Sequence, residues 1–179
     1  MIILEHTFVN YNYESLQKFT YQTGGFAMSA ALESAHPNSM VRDRKGHSLL
    51  AFPSRYVVLD LETTGLDPQY DDIIEVAAIR IVDGAIEDSF SSLVNPGYSI
   101  DEFITELTGI TDDMLAPAPS LDSVLPAFLS FIGSDVVVGH NVNFDINFIY
   151  DSCSALSLEP FSNDFVDTMR ISRKLFPED

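Results

Sequence analysis

Apolar and polar positions alternate clearly only from Tyr56 onward. Tyr56-Val57-Val58-Leu59 is an apolar, β-branched run that predicts a strand over about 56–61. Pro68 and Asp71-Asp72 close a polar loop, and Ile73–Val82 reads as a second strand. Strict alternation there sets Ile74, Val76 and Ala78 against Ile73, Glu75, Ala77 and Ile79. Asp83-Gly84 is a strong two-residue hairpin signal, leading into a third strand, Ala85–Val94, that ends at Asn95-Pro96-Gly97. Short helical turns are expected at Asp101–Ile104 and Thr111–Leu115, the latter ended by Pro117 and Pro119. Leu121, Val124, Leu125, Phe128, Leu129 and Ile132 form the stripe of an amphipathic helix that starts at Ser120, takes Pro126 near its first turns and stops at Gly133. Val136-Val137-Val138 is a short buried strand, suited to the parallel centre of a sheet. Asn141 or Asn143 is expected to cap the next helix, which runs to about Leu156. Phe165–Leu175 reads as a last helix, with Arg170, Arg173 and Lys174 on a solvated face.

This order predicts an α/β layered domain with a mixed sheet flanked by helices, which has the look of a ribonuclease H-like architecture. Residues 1–54 show no sustained period and read as an irregular N-terminal extension, leaving 55–179 as the domain. Within the extension Tyr11-Asn12-Tyr13, Gly24-Gly25 and His36–Ser39 are loop-like, Ala27–Leu32 has weak helix potential, and Val41–Gly46 is a basic cluster expected as a solvated linker. An apolar fraction of 46% is enough for one domain with its own core. No apolar run is long enough for a membrane span, the start lacks a signal-peptide pattern, and Cys153 has no disulfide partner, so a cytoplasmic protein is the expectation.

Charge changes this picture. The net charge is −18, and residues 1–54 sum to zero, so all of it falls on 55–179. That argues against ordinary phosphate binding through Lys and Arg. It leaves room for a metal-dependent nuclease, whose ions neutralise its acids locally.

The candidate chemistry follows the first strand. Asp60 and Glu62 sit at i and i+2, on one face and roughly 6–7 Å apart along it. An ordinary strand end with two solvated acids has the same spacing. Buried, the pair would call for a cation, and oxygen donors suit a hard ion such as Mg²⁺. A third acid, Asp145, falls in the first turn of the helix after Val136–Val138, in the segment His140-Asn141-Val142-Asn143-Phe144-Asp145. If those two strands are neighbours, Asp60, Glu62 and Asp145 converge where parallel strands end. Three carboxylates around two ions are suited to in-line attack on a phosphodiester.

The segments Asp60–Leu66 (D-L-E-T-T-G-L), Leu107–Thr111 (L-T-G-I-T) and His140–Asp145 (H-N-V-N-F-D) resemble the DnaQ-like (DEDD) 3′–5′ exonucleases, in particular the proofreading exonucleases of bacterial replicative polymerases. The resemblance covers about residues 55–175. It implies that Asp60, Glu62 and Asp145 hold two Mg²⁺ or Mn²⁺ ions, with Asp60 bridging them. It implies that Thr63, Thr64 and the Leu107–Ile110 segment, with Thr108 and Gly109, hold the 3′-terminal nucleotide of a single strand, DNA in preference to RNA. Phe144 is expected mainly in core packing, with a lesser role at the substrate. A DNA polymerase is an implied partner. The family's third motif, a His followed five residues later by Asp, is absent: His6, His36, His47 and His140 all precede Asp145. His140 itself reads as a structural histidine. The C-terminal portion of the domain is therefore expected to be missing and activity to be weak or lost. An exonuclease-fold module that only binds, and a ribonuclease trimming RNA 3′ ends, stay open as alternatives.

Overall fold

The computed structural model describes residues 41–176. The expectations for Tyr11–Tyr13, Gly24-Gly25, Ala27–Leu32 and His36–Ser39 lie outside them. The elements are β1 (Ser48–Leu49), β2 (Arg55–Thr63), β3 (Ile73–Val82), β4 (Ala85–Leu93), α1 (Glu102–Thr108), α2 (Asp112–Leu115), α3 (Leu121–Ile132), β5 (Val136–Gly139), α4 (Asn143–Ala155), β6 (Phe165–Asp167) and α5 (Thr168–Leu175). They build one six-stranded mixed sheet in the order β1-β6-β5-β2-β3-β4. β2, β3 and β4 are antiparallel neighbours, while β5 runs parallel to both β2 and β6. The β3–β4 turn uses positive φ at both central residues, Asp83 (50°) and Gly84 (81°), which matches the twist of a two-residue hairpin.

The main core lies between the sheet and the two long helices. Val57, Leu59 and Leu61 of β2 and Val137 of β5 meet Val124, Leu125, Phe128 and Ile132 of α3 and Ile146, Phe148, Ile149 and Cys153 of α4. Phe90 of β4 closes it against Phe128 at a ring separation of 5.6 Å. A smaller cluster joins Ile74 to Ile104 of α1, Ile110, and Leu115 of α2.

One irregularity decides which side chains face which core. Glu62 pairs with Glu75, but the next residue, Thr63, pairs with Ile73, so Ile74 is an extra residue in β3. Strict alternation groups Ile74 with Val76 and Ala78. The bulge corrects this: Ile73 joins Val76 and Ala78 in the main core, and Ile74 goes to the small cluster.

Further expectations change. The last helix does not begin at Phe165. Phe165–Asp167 is a strand, paired with Val137–Gly139 on one side and Ser48–Leu49 on the other, and only Thr168–Leu175 is helical. The cap of α4 is neither Asn141 nor Asn143 but Val142, without a side-chain bond. Asn141 instead takes a left-handed φ of 58°, which Asn tolerates better than most residues.

The basic cluster is also docked rather than solvated. Arg42 forms a two-pronged pair with the buried Asp151 of α4 (Nε to Oδ1 2.7 Å). Lys45 Nζ donates to Asn143 Oδ1 (2.9 Å) and Asn147 Oδ1 (2.8 Å), and burial followed by the Arg42 charge lowers its pKa. Gly46 lies so close to the chain before β6 that a Cβ there would sit 2.0 Å from the Asn163 carbonyl oxygen. With β1 added to the sheet, the compact unit reaches back to Arg42, earlier than residue 55.

Candidate active site

Alternation along β2 sends Leu59 and Leu61 into the main core and Asp60 and Glu62 to the opposite face. On the neighbouring strand Ala77 pairs with Asp60, and Glu75 pairs with Glu62. The small residue gives Asp60 room. The acid sets two carboxyls directly across from each other, an arrangement that repels when both are charged.

Asp145 reaches the same place from α4. Its Oδ1 accepts from the backbone N–H of Leu61 at 3.1 Å, so a buried hydrogen bond ties the first turn of α4 to the end of β2. The approach is possible because β5 ends in Gly139. A Cβ there would come within 2.8 Å of Val142 Cγ2 and 3.1 Å of the Leu59 carbonyl oxygen. Asp145 is only 4% exposed.

Burial is the first cause of every shift in this group. It pushes Asp60 up to about 6, against the lowering effects of the Leu61 amide and nearby His140. It raises Glu62 to about 7, with added repulsion from Asp60 and Glu75. Glu75 also rises to about 7, from burial and then Asp60. Asp145 is held well above the ordinary carboxylate range by burial and then by Asp60, with Glu62 adding to the repulsion and hydrogen bonds opposing it. The four acids therefore feel one another in one partly dry region, and neither Lys nor Arg appears among the causes of their shifts.

Such a set fits hard divalent cations by its chemistry: anionic oxygen donors with, among the described residues, neither Lys nor Arg and only His140 offsetting them. Asp60, Glu62 and Asp145 are the residues that would hold them. The set is open, since among the described residues no three His, Cys, Asp or Glu side chains close on a single ion position. Asp167, though buried, is spoken for: Oδ1 caps α5 through Met169 N (2.9 Å) and also accepts from Asn141 N (3.0 Å). His140 Nδ1 lies 3.2 Å from Thr168 Oγ1, which agrees with a structural role at the strand end.

The residues expected at the substrate are in different states. Thr63 Oγ1 donates to the Gly65 carbonyl (2.6 Å). Thr64 Oγ1 accepts from Asp72 N (2.9 Å) and lies 3.3 Å from Tyr98 Oη, so both threonines shape the loop after β2. Tyr98, which donates to Asp72 Oδ2 at 2.7 Å, had no motif to mark it. Thr108 closes the end of α1, accepting from Ile110 N (3.1 Å), and Gly109 supplies the left-handed residue (φ 75°) that ends the helix. Leu107 is 63% exposed and so available for contact. Phe144 packs on Phe148 at 4.9 Å, as core packing requires. Glu75 is the acid that pattern reading passed over, because a single Glu inside Ile-Ile-Glu-Val-Ala-Ala-Ile looks like one polar position of an alternating strand.

A mixed sheet of this order, flanked by helices and carrying half-buried acids at the end of its central strand, defines a ribonuclease H-like nuclease fold. The chain belongs to the exonuclease family, whose model matches residues 57–179. It is 45% identical over 122 residues to the DNA polymerase III subunit epsilon of Aquifex aeolicus, covering 68% of this chain and 60% of that protein. It is 45% identical over 134 residues to the PolC-type DNA polymerase III of Bacillus cereus, covering 75% of this chain but only 9% of the relative. The chain thus spans less than two thirds of these relatives' own length. Among solved structures, Exonuclease X in complex with 5′ overhanging duplex DNA superimposes with a TM-score of 0.53 at 30% identity, over 68% of this chain and 64% of that one. E. coli Exonuclease I in complex with a dA16 oligonucleotide gives 0.60 at 22% identity, over 70% and 31%, a likeness of fold. The resemblance to DnaQ-like exonucleases drawn from three short motifs therefore holds across the domain. No helix among the described residues is long and apolar enough to cross a membrane.

Proposed function

We propose that this chain hydrolyses single-stranded DNA from its 3′ end, releasing nucleoside 5′-monophosphates, and that it works beside a replicative DNA polymerase. The observation that supports this most is the gathering of Asp60, Glu62 and Asp145 at the junction of β2 and α4, with the Leu61 amide fixing Asp145. When bound there, two Mg²⁺ or Mn²⁺ ions would supply positive charge to the phosphodiester and lower the pKa of the attacking water. The chain's own part is positional. Strand geometry aims Asp60 and Glu62 from one face, and the α4 N-terminus, whose dipole favours an anion, presents Asp145. Leu107, Thr108 and Gly109, with Thr63 and Thr64, would receive the terminal nucleotide. The polymerase partner is inferred from the epsilon and PolC-type relatives.

The test is a single-stranded DNA labelled at its 5′ end, incubated with Mn²⁺ and followed on a sequencing gel. A ladder that shortens one nucleotide at a time from the 3′ end, with a slower ladder on matched RNA, is the expected result. Faster RNA shortening would reassign the substrate. Internal cuts, or products that persist in EDTA, would contradict the proposal.

A further inference from the structure

Glu75 is a buried acid for which the reading above has no use. It is 4% exposed, lies near the start of an apolar strand, and its Oε1 has no hydrogen-bond partner among the described residues. Its position is fixed by the regular ladder: it is the direct cross-strand partner of Glu62 and so lies on the face that Asp60 and Glu62 share. The fold gains nothing from that oxygen: an unpartnered buried carboxyl oxygen is unfavourable, and a second carboxyl opposite makes it more so. An amide of the same shape, or an apolar residue, would serve β3 better. What Glu75 adds is a spare anionic acceptor beside the carboxylates that would hold the cations.

We propose that Glu75 is a positioning residue of the metal site, its free Oε1 accepting a hydrogen bond from a cation-bound water next to Glu62 and so holding Glu62 and that water in place. This rests on the metal-site reading above. Groups that orient metal ligands from the outer shell are worth about 10–100-fold in metal affinity.

The experiment is Mn²⁺ titration by isothermal calorimetry, combined with thermal melting in EDTA at pH 8, on wild type, Glu75→Gln, Glu75→Ala and Asp60→Asn. Glu75→Ala is expected to weaken Mn²⁺ binding about 10–100-fold. Glu75→Gln keeps an acceptor oxygen and should lose less. In EDTA the Glu75→Gln protein should melt above wild type, because an unpartnered charge has gone; a merely structural glutamate would give the opposite. Binding by both Glu75 variants equal to wild type, while Asp60→Asn loses it, would overturn this inference and leave the metal-site reading intact. No Mn²⁺ binding by wild type would overturn both.

Discussion

Freed of metal, the protein should lose stability as the pH rises from about 5 to about 8, and millimolar Mg²⁺ should restore it. Asp60, Glu62, Glu75 and Asp145 all have folded-state pKa values above their ordinary ones. Between the ordinary carboxylate range and pH 6–7 the folded chain therefore holds protons that the unfolded chain has released. Stability from this source is complete at low pH and is lost as the pH climbs through about 6 for Asp60 and about 7 for Glu62 and Glu75. One pKa unit corresponds to about 1.4 kcal/mol, so Asp60 alone accounts for about 3 kcal/mol from below its ordinary value to above 6, roughly half of it above pH 5, and Glu62 and Glu75 add to that half. The four groups share the same repulsions and their effects overlap. Three kcal/mol in a domain of this size is roughly 6–12 °C of melting temperature. Circular-dichroism melts at pH 5 and pH 8, with EDTA or Mg²⁺, measure it. A melting point in EDTA that is flat or rises with pH would mean that the acids are not crowded together.

Replacing Asp60 by Asn should reduce Mn²⁺-dependent shortening of single-stranded DNA by about 10³-fold or more. The substitution keeps shape and removes the anion at the centre of the group, the one that appears among the causes for Glu62, Glu75 and Asp145 alike. Cations held in such sites supply several kcal/mol of charge stabilisation, and about 4 kcal/mol is a factor of about 10³. The same variant should melt higher than wild type in EDTA at pH 8, since its three neighbours lose a repelling charge. Wild-type rates in Asp60→Asn would show that hydrolysis is carried out elsewhere.

The two results together describe a fold that tolerates local instability for the sake of its site. Most of that fold is legible in the sequence, because its long elements have strong periods. Ile73–Val82 and the Leu121–Ile132 helix fall where the pattern places them, and Asp83-Gly84 turns as its residues demand. What escapes is short or non-local. Phe165-Val166-Asp167 is too brief to show alternation and runs directly into a helix, so its strand character comes only from β5 and β1 beside it. Ser48-Leu49 is shorter still. Arg42 finds Asp151 across 109 positions, a pairing no local pattern announces. The bulge at Ile74 cannot be seen in β3 alone, because it is a mismatch between two strands.

The site divides in the same way. Asp60 and Glu62 announce themselves by ending an oily strand, and Asp145 by opening a helix after one. Glu75 announces nothing, because its meaning lies in the residue across from it. The threonines at the end of β2 read as nucleotide contacts, and in this structure their hydroxyls also build the loop that follows.

Soaking crystals of the protein with MnCl₂ and mapping the anomalous scattering tests the central claim most directly. Two peaks about 3.5–4 Å apart, both touching Asp60 and flanked by Glu62 and Asp145, are the expected result. Manganese bound only elsewhere on this acidic surface, with those three carboxylates bare, would contradict it.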